Sequence, residues 1–269
     1  MFSRILVPLD GSSLAERAIP HAVLFARIFQ SDIILLQVLE PTSYHENPKS
    51  VDPLNWQIRK TEADMYMQGI ADKIRKKLEN KSVSRPKEKS NNVEYYVREG
   101  KTAENIVDFA HAENINLLVI STHGSSGLSR WNISSITEKV IKRIYLPVLI
   151  IRSFRDLEVD EPLNRYHNIL LPIDSSRRAE CSLSAAIELT RGEMTEAGLT
   201  GEAGEKSNLV LAAVIRPPEI PIPEPYPVKI SQLSNQLRQI SRQAVDKYLA
   251  ELKTRLPVQC ETRVVEKAS

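Results

Sequence analysis

Only two cysteines, Cys181 and Cys260, occur among 269 residues. They form neither a metal-binding spacing nor a disulfide framework, which fits a reducing compartment. No apolar run approaches the roughly 18 residues that a membrane span needs. The opening Met-Phe-Ser-Arg-Ile-Leu-Val-Pro-Leu-Asp has too short an apolar stretch for a signal peptide and meets Asp10 at once, so a soluble, cytoplasmic protein is expected. Charge of one sign is also missing: 36 basic against 34 acidic residues leave a net +2. No global field therefore points to nucleic acid or to anionic lipid. No cluster of potential metal ligands is legible, and no Ser/His/Asp set or pair of carboxylates is placed for acid–base catalysis. What remains is ordinary globular composition, 42% hydrophobic and 26% charged, in a chain long enough for one large or two ordinary domains.

Within that composition, short apolar runs alternate with longer helical patterns, the order of parallel strands joined by crossover helices. Ile5–Leu9, Ile33–Leu39, Val93–Val97, Leu117–Ile120 and Val148–Ile151 read as five strands, apolar enough for burial on both faces. Helices are predicted over Leu14–Phe29, Leu54–Leu78, Ala103–Glu113 and Ser135–Ile144. Ile58, Met65, Ile70, Ile74 and Leu78 form the apolar stripe predicted for the second of these. Pro20 predicts a kink or a late start in the first.

The pattern then partly repeats. Ile5-Leu-Val-Pro-Leu-Asp10 returns as Ile169-Leu-Leu-Pro-Ile-Asp174, and Ala15-Glu16 as Ala179-Glu180. Leu209–Ile215 matches the second strand, Val228–Leu252 the long helix and Glu261–Glu266 the third strand. Nothing in the second copy corresponds to the fourth or fifth strand. A charged linker, Ser153–Tyr166, separates the copies. Gly201-Glu-Ala-Gly204-Glu-Lys-Ser207 suggests a phosphate-binding P-loop, but Glu205 separates glycine from lysine and the stretch precedes a strand, so a surface loop is the better reading.

The segment that looks built to hold a ligand follows the fourth strand: Ile120-Ser-Thr-His-Gly-Ser-Ser-Gly-Leu-Ser-Arg-Trp-Asn-Ile-Ser-Ser-Ile136. Small hydroxyls and backbone amides at a helix start suit a phosphate. Ser134 and Ser135, with Glu138 three residues on, also read as a capping box, and one helix end can serve both purposes. Asp10 can contact a ligand or cap the helix that follows it. His123 reads as a structural hydrogen-bonder rather than a general base. The basic run from Lys73 to Lys89 reads as a solvated face, and Pro217–Pro227 as an extended loop.

Together these pieces resemble the universal stress protein family, within the adenine-nucleotide alpha-hydrolase-like fold. The carriers are Val-Pro-Leu-Asp-Gly-Ser-Ser-Leu-Ala-Glu-Arg-Ala after the first strand, Thr-His-Gly-Ser-Ser-Gly-Leu-Ser-Arg after the fourth, and Pro-Val-Leu-Ile-Ile-Arg in the fifth. The resemblance covers residues 1–152 in full and 167–269 as a truncated tandem repeat holding strands one to three. It implies an α/β fold, an open five-stranded parallel sheet of order 3-2-1-4-5 flanked by helices, with ligand at the carboxyl ends of strands one and four. The implied ligand is ATP or another adenine nucleotide, with Mg2+ as its companion, in a stress-response or signalling role; slow hydrolysis is known in the wider family, and no catalytic residue is assigned. Carried over residue by residue, Asp10 would bond the adenosine, while Pro8, Val38 and Ile120 would line the adenine slot. Gly124, Ser125, Gly127, Ser134, Ser135 and Ile136 would surround ribose and phosphates, and Arg130 and His123 would neutralise phosphate charge. ATP-binding members carry Gly-x2-Gly-x9-Gly-Ser/Thr. Here the three glycine positions fall at Ser121, Gly124 and Ser134, so two of them are serine. Serine restricts a backbone that glycine leaves free, and the other reading is a nucleotide-free dimeric interaction module. The resemblance also implies a homodimer through Val148–Ile151.

Overall fold

The computed structural model describes residues 1–40, 53–79, 91–122, 135–152, 163–192, 207–215 and 228–266. They fall into two compact units, Met1–Leu163 and Asn164–Ser269.

In the first unit five strands form one parallel sheet of order β3-β2-β1-β4-β5: β1 Arg4–Leu9, β2 Asp32–Leu39, β3 Val93–Glu99, β4 Leu117–Ser121 and β5 Val148–Ile151. The central strands β1, β2 and β4 are buried on both faces as expected, because helices cover both; the edge strands β3 and β5 are not, with only Val93 and Ile151 buried. On one face Leu6, Ile34, Leu36, Leu118 and Ile120 pack against α4 (Thr102–Ala112) and α5 (Ser135–Ile141) through Ile106, Phe109 and Val140. The other face receives α2 (Ala18–Phe29) and α3 (Pro53–Glu79).

The first predicted helix is two pieces, α1 (Ser13–Glu16) and α2, with the break at Arg17. Pro20 has no N–H to bond the Glu16 carbonyl four residues back, so the helix restarts instead of running through. The predicted stripe on α3 needs correction. The buried residues are Ala63, Met67, Ile70, Ala71 and Ile74, whereas Ile58 is 49% and Met65 61% exposed. Met65 lies two residues from Ala63, about 200° round the helix. Ile58 belongs to turns that overhang the sheet: 27 residues of helix span about 40 Å, and seven or eight residues of strand only about 26 Å.

Pairing between β1 and β2 runs from Arg4↔Asp32 to Leu9↔Gln37, but between β1 and β4 it covers only Ile5↔Leu117 and Leu6↔Leu118. Beyond Leu6 the two strands part. Pro8, two residues on, offers no N–H to a neighbouring strand, so the sheet opens at its carboxyl end between β1 and β4. There the strand order reverses, where open α/β sheets take ligands.

The second unit holds a three-stranded parallel sheet of order β6-β7-β8: β6 Asn168–Pro172, β7 Asn208–Ile215 and β8 Cys260–Glu266. Beside it lie α6 (Arg177–Glu180), α7 (Leu183–Arg191) and α8 (Val228–Arg255). Leu183, Ala186, Leu209, Leu211, Leu249 and Leu252 form its core. The edge strand β6 shows alternating burial and leaves Leu170 exposed.

Candidate functional site

The β1–α1 turn is built by short polar side chains. Gly11 takes the left-handed conformation at φ +83°, turning the chain so that Asp10 faces back on Ser12. The Ser12 amide and hydroxyl donate to Asp10 Oδ1 at 3.0 and 2.6 Å. Ser12 Oγ in turn accepts from the Ala15 amide at 3.1 Å and is the N-cap of α1. Asp10 therefore does not cap the helix; it holds the residue that does. One turn on, Glu16 Oε1 accepts from the Tyr66 hydroxyl of α3 at 2.9 Å. Burial, and then the Glu16 charge, push the Tyr66 phenol well above its ordinary value.

This scaffold occurs twice. In the second unit the Ser176 amide donates to Asp174 Oδ1 at 2.9 Å, Ser176 Oγ accepts from the Ala179 amide at 3.1 Å, and the Tyr248 hydroxyl donates to Glu180 Oε1 at 2.8 Å. Ser175 stands where Gly11 does, also left-handed at φ +64°. Burial and the bond to Glu180 push Tyr248 up to about 12.

In the first unit the scaffold opens on a cleft of about 350 Å³ lined by Asp10, Gly11, Gln37, Val38, Leu39, Glu40, Arg59, Glu62, Ala63 and Tyr66. It lies between the carboxyl ends of β1 and β2 and one side of α3. Three carboxylates, Asp10, Glu40 and Glu62, face a single guanidinium, Arg59, so the lining is acidic. Glu40 also accepts from the Thr102 amide at 2.7 Å, closing the start of α4, and that bond holds its carboxyl below the usual carboxylate range. The Arg59 guanidinium lies over the Trp56 ring, 5.3 Å from its centroid. Gln37 is 9% exposed, and its Oε1 has no hydrogen-bond partner.

Of the residues assigned from the sequence, Asp10 and Val38 line this cleft. Pro8 is half-buried beside them on β1, and Ile120 is buried in the apolar cluster against which Val38 packs. Ser135 and Ile136 are exposed at the start of α5. The Thr137 hydroxyl ties that helix to the Ser121 carbonyl of β4 at 3.1 Å. The capping-box reading of Glu138 does not hold: α5 starts at Ser135, so Glu138 lies one position too far along, and it bonds Lys142 at 2.6 Å instead. Gly124, Ser125, Gly127, Arg130 and Ser134, with His123, lie outside the described residues. Sequence reasoning missed Gln37, Glu40, Arg59, Glu62 and Tyr66. A signal existed for Gln37, the one polar residue within the apolar run Ile33–Leu39.

The family model described as "Universal stress protein family" matches residues 1–152. Universal stress protein MJ0531 of Methanocaldococcus jannaschii is 27% identical over 152 residues, 56% of this chain and 83% of that protein. A universal stress protein structure from Archaeoglobus fulgidus aligns with 98% of this chain and 77% of its own, at 15% identity and a TM-score of 0.56, a likeness of fold. A structure of a universal stress protein in complex with cAMP aligns with 56% of this chain and 97% of its own, at 18% identity and a TM-score of 0.39.

Proposed function

We propose, from the premise that this chain belongs to the universal stress protein family, that its first unit binds an adenine nucleotide, ATP foremost, and acts in stress response or signalling through its bound state. The observation that carries this reading is the cleft at the carboxyl ends of β1 and β2, which both Asp10 and Val38 line. Its volume of about 350 Å³ lies in the range of small-molecule sites and suits a nucleoside. Its charge says which part of the nucleotide enters. Three carboxylates against one guanidinium repel phosphate, so base and ribose go inside and the phosphates stay outside. The phosphates are then left to the small-residue loop after β4 and the start of α5. Mg2+ would arrive on the phosphates; among the described residues no group of three His, Cys, Asp or Glu is placed to hold a metal ion.

The second unit, residues 167–269 after a linker at 153–166, repeats strands one to three of the first. Strand β5 lies at the sheet edge with Ile150 exposed, and a homodimer would pair it with its counterpart, since an open apolar edge invites another strand. A monomer at micromolar concentration in light scattering refutes that dimer.

Thermal shift with ATP, ADP, AMP and cAMP tests the nucleotide reading. A ligand at a hundred times its Kd stabilises by about 2.7 kcal/mol, which raises Tm by about 5–10 °C for a unit of this size. Gly124→Arg should abolish the shift with ATP. An unchanged shift in that variant places the phosphates elsewhere, and no shift with any of the four favours the nucleotide-free interaction module.

A further inference from the structure

The two units share a scaffold, but three polar residues of the cleft lining differ between them. Asp10, Ser12, Glu16 and Tyr66 have counterparts in Asp174, Ser176, Glu180 and Tyr248, making the same bonds. That network is therefore what builds the fold. Ile33 pairs with Ile5, and Leu209 with Ile169. Counting forward along each strand, Gln37 corresponds to Ala213, which is buried in the apolar core of its unit. Counting back from Tyr66 and Tyr248 along the long helices, Arg59 and Glu62 correspond to Ser241 and Ala244. The second unit thus folds without counterparts of Gln37, Arg59 and Glu62, three of the polar groups that line the cleft in the first.

Gln37 also has no hydrogen-bond partner at its amide oxygen. Its side chain is nine-tenths buried at the cleft, with an amide oxygen that no donor satisfies. Such a group disfavours the folded state unless something donates to it. The terminal torsion of glutamine is broad and roughly two-fold, so the amide can turn to meet a ligand with either end. A primary amide offers one acceptor beside one donor, matching the adenine edge, where the 6-amino group donates and N7 accepts. Guanine presents two acceptors there, O6 and N7, and one of them would face the amide oxygen.

We propose that Gln37 reads the base: its amide hydrogen-bonds the edge of adenine and selects adenine over guanine nucleotides. This rests on the nucleotide reading above and adds the residue that makes it base-specific. The same arrangement makes Gln37 a functional residue kept at the expense of the empty protein's stability.

Calorimetric titration of the full chain with ATP and with GTP tests this, on the wild type, Gln37→Leu and Gln37→Met. The wild type should bind ATP at least about ten-fold more tightly than GTP, the scale that one bidentate base contact supplies. Both variants should lose about ten-fold in ATP affinity and keep GTP affinity within about two-fold, collapsing the preference. Without nucleotide, Gln37→Leu should melt about 2–4 °C above the wild type, because it removes an unsatisfied buried acceptor. Gln37→Met keeps the side chain's length and serves if the branched leucine prevents folding. Unchanged ATP affinity and an unchanged ATP-to-GTP ratio in the variants overturn the role of Gln37 and leave the nucleotide site standing. A wild type that binds neither nucleotide overturns both.

Discussion

Removing one hydroxyl, in Tyr66→Phe, tests the duplicated scaffold directly. In the wild type that hydroxyl donates to the Glu16 carboxylate at 2.9 Å and ties α3 to α1 beside the cleft. A hydrogen bond to a charged group contributes about 1.5–3 kcal/mol. Glu16 is only half-buried, so water partly replaces the lost donor, and a net cost of about 1–2 kcal/mol is expected. The equivalent Tyr248→Phe should cost less, about 0.5–1 kcal/mol, because Glu180 keeps the Arg255 guanidinium at 2.9 Å. The two tryptophans, Trp56 and Trp131, both belong to the first unit. Urea unfolding followed by selective tryptophan fluorescence therefore reads that unit alone. Tyr66→Phe should lower the midpoint at constant slope, and Tyr248→Phe should leave it in place. A Tyr66→Phe midpoint indistinguishable from wild type refutes the reasoning. So does an equal shift from Tyr248→Phe.

The left-handed turn gives a second comparison. An added Cβ at Gly11 would meet nothing within 4 Å, so Gly11→Ala isolates backbone strain at φ +83° and should cost about 1–2 kcal/mol by the same fluorescence assay. Conversely, Ser175→Gly should raise the calorimetric Tm of the second unit, with a gain of about 0.5–1 kcal/mol after glycine's larger unfolded-state entropy is discounted. Stability should also fall at both ends of the pH scale. Burial lowers the His21 pKa in the folded state, so its contribution is present above the unfolded value of about 6.5 and is lost as pH falls through the folded one. Tyr66, Tyr166 and Tyr248 are all raised, chiefly by burial, so their contribution is present below about pH 10 and is lost above it. His21→Gln should flatten the acid limb and Tyr66→Phe the alkaline one in pH-dependent urea midpoints.

The central strands were legible because burial on both faces writes itself as nearly unbroken apolar runs, and each predicted strand of the first unit lies within two residues of the observed one. Sheet order came from the family resemblance, not from periodicity. The α3 stripe was misread because large side chains were counted, whereas close approach to the sheet buries small ones such as Ala63 and Ala71. Asp10 and Val38, which line the cleft at the carboxyl ends of β1 and β2, were legible as ligand residues only through the family resemblance. Arg59, Glu62 and Tyr66 were not, since they come from the side of a long helix whose rotation only packing sets. Glu40 was hidden for a different reason: its amide partner, Thr102, is 62 residues away in sequence. Gln37 stood within an apolar strand, where a lone polar residue carries more information than its neighbours.

Whether the first unit binds an adenine nucleotide is read most directly by denaturing freshly purified protein and identifying what it releases by chromatography and mass spectrometry. An adenine nucleotide, ATP foremost, should be released at close to one per chain. A protein that releases none, and whose Tm does not move when ATP is added, contradicts nucleotide binding.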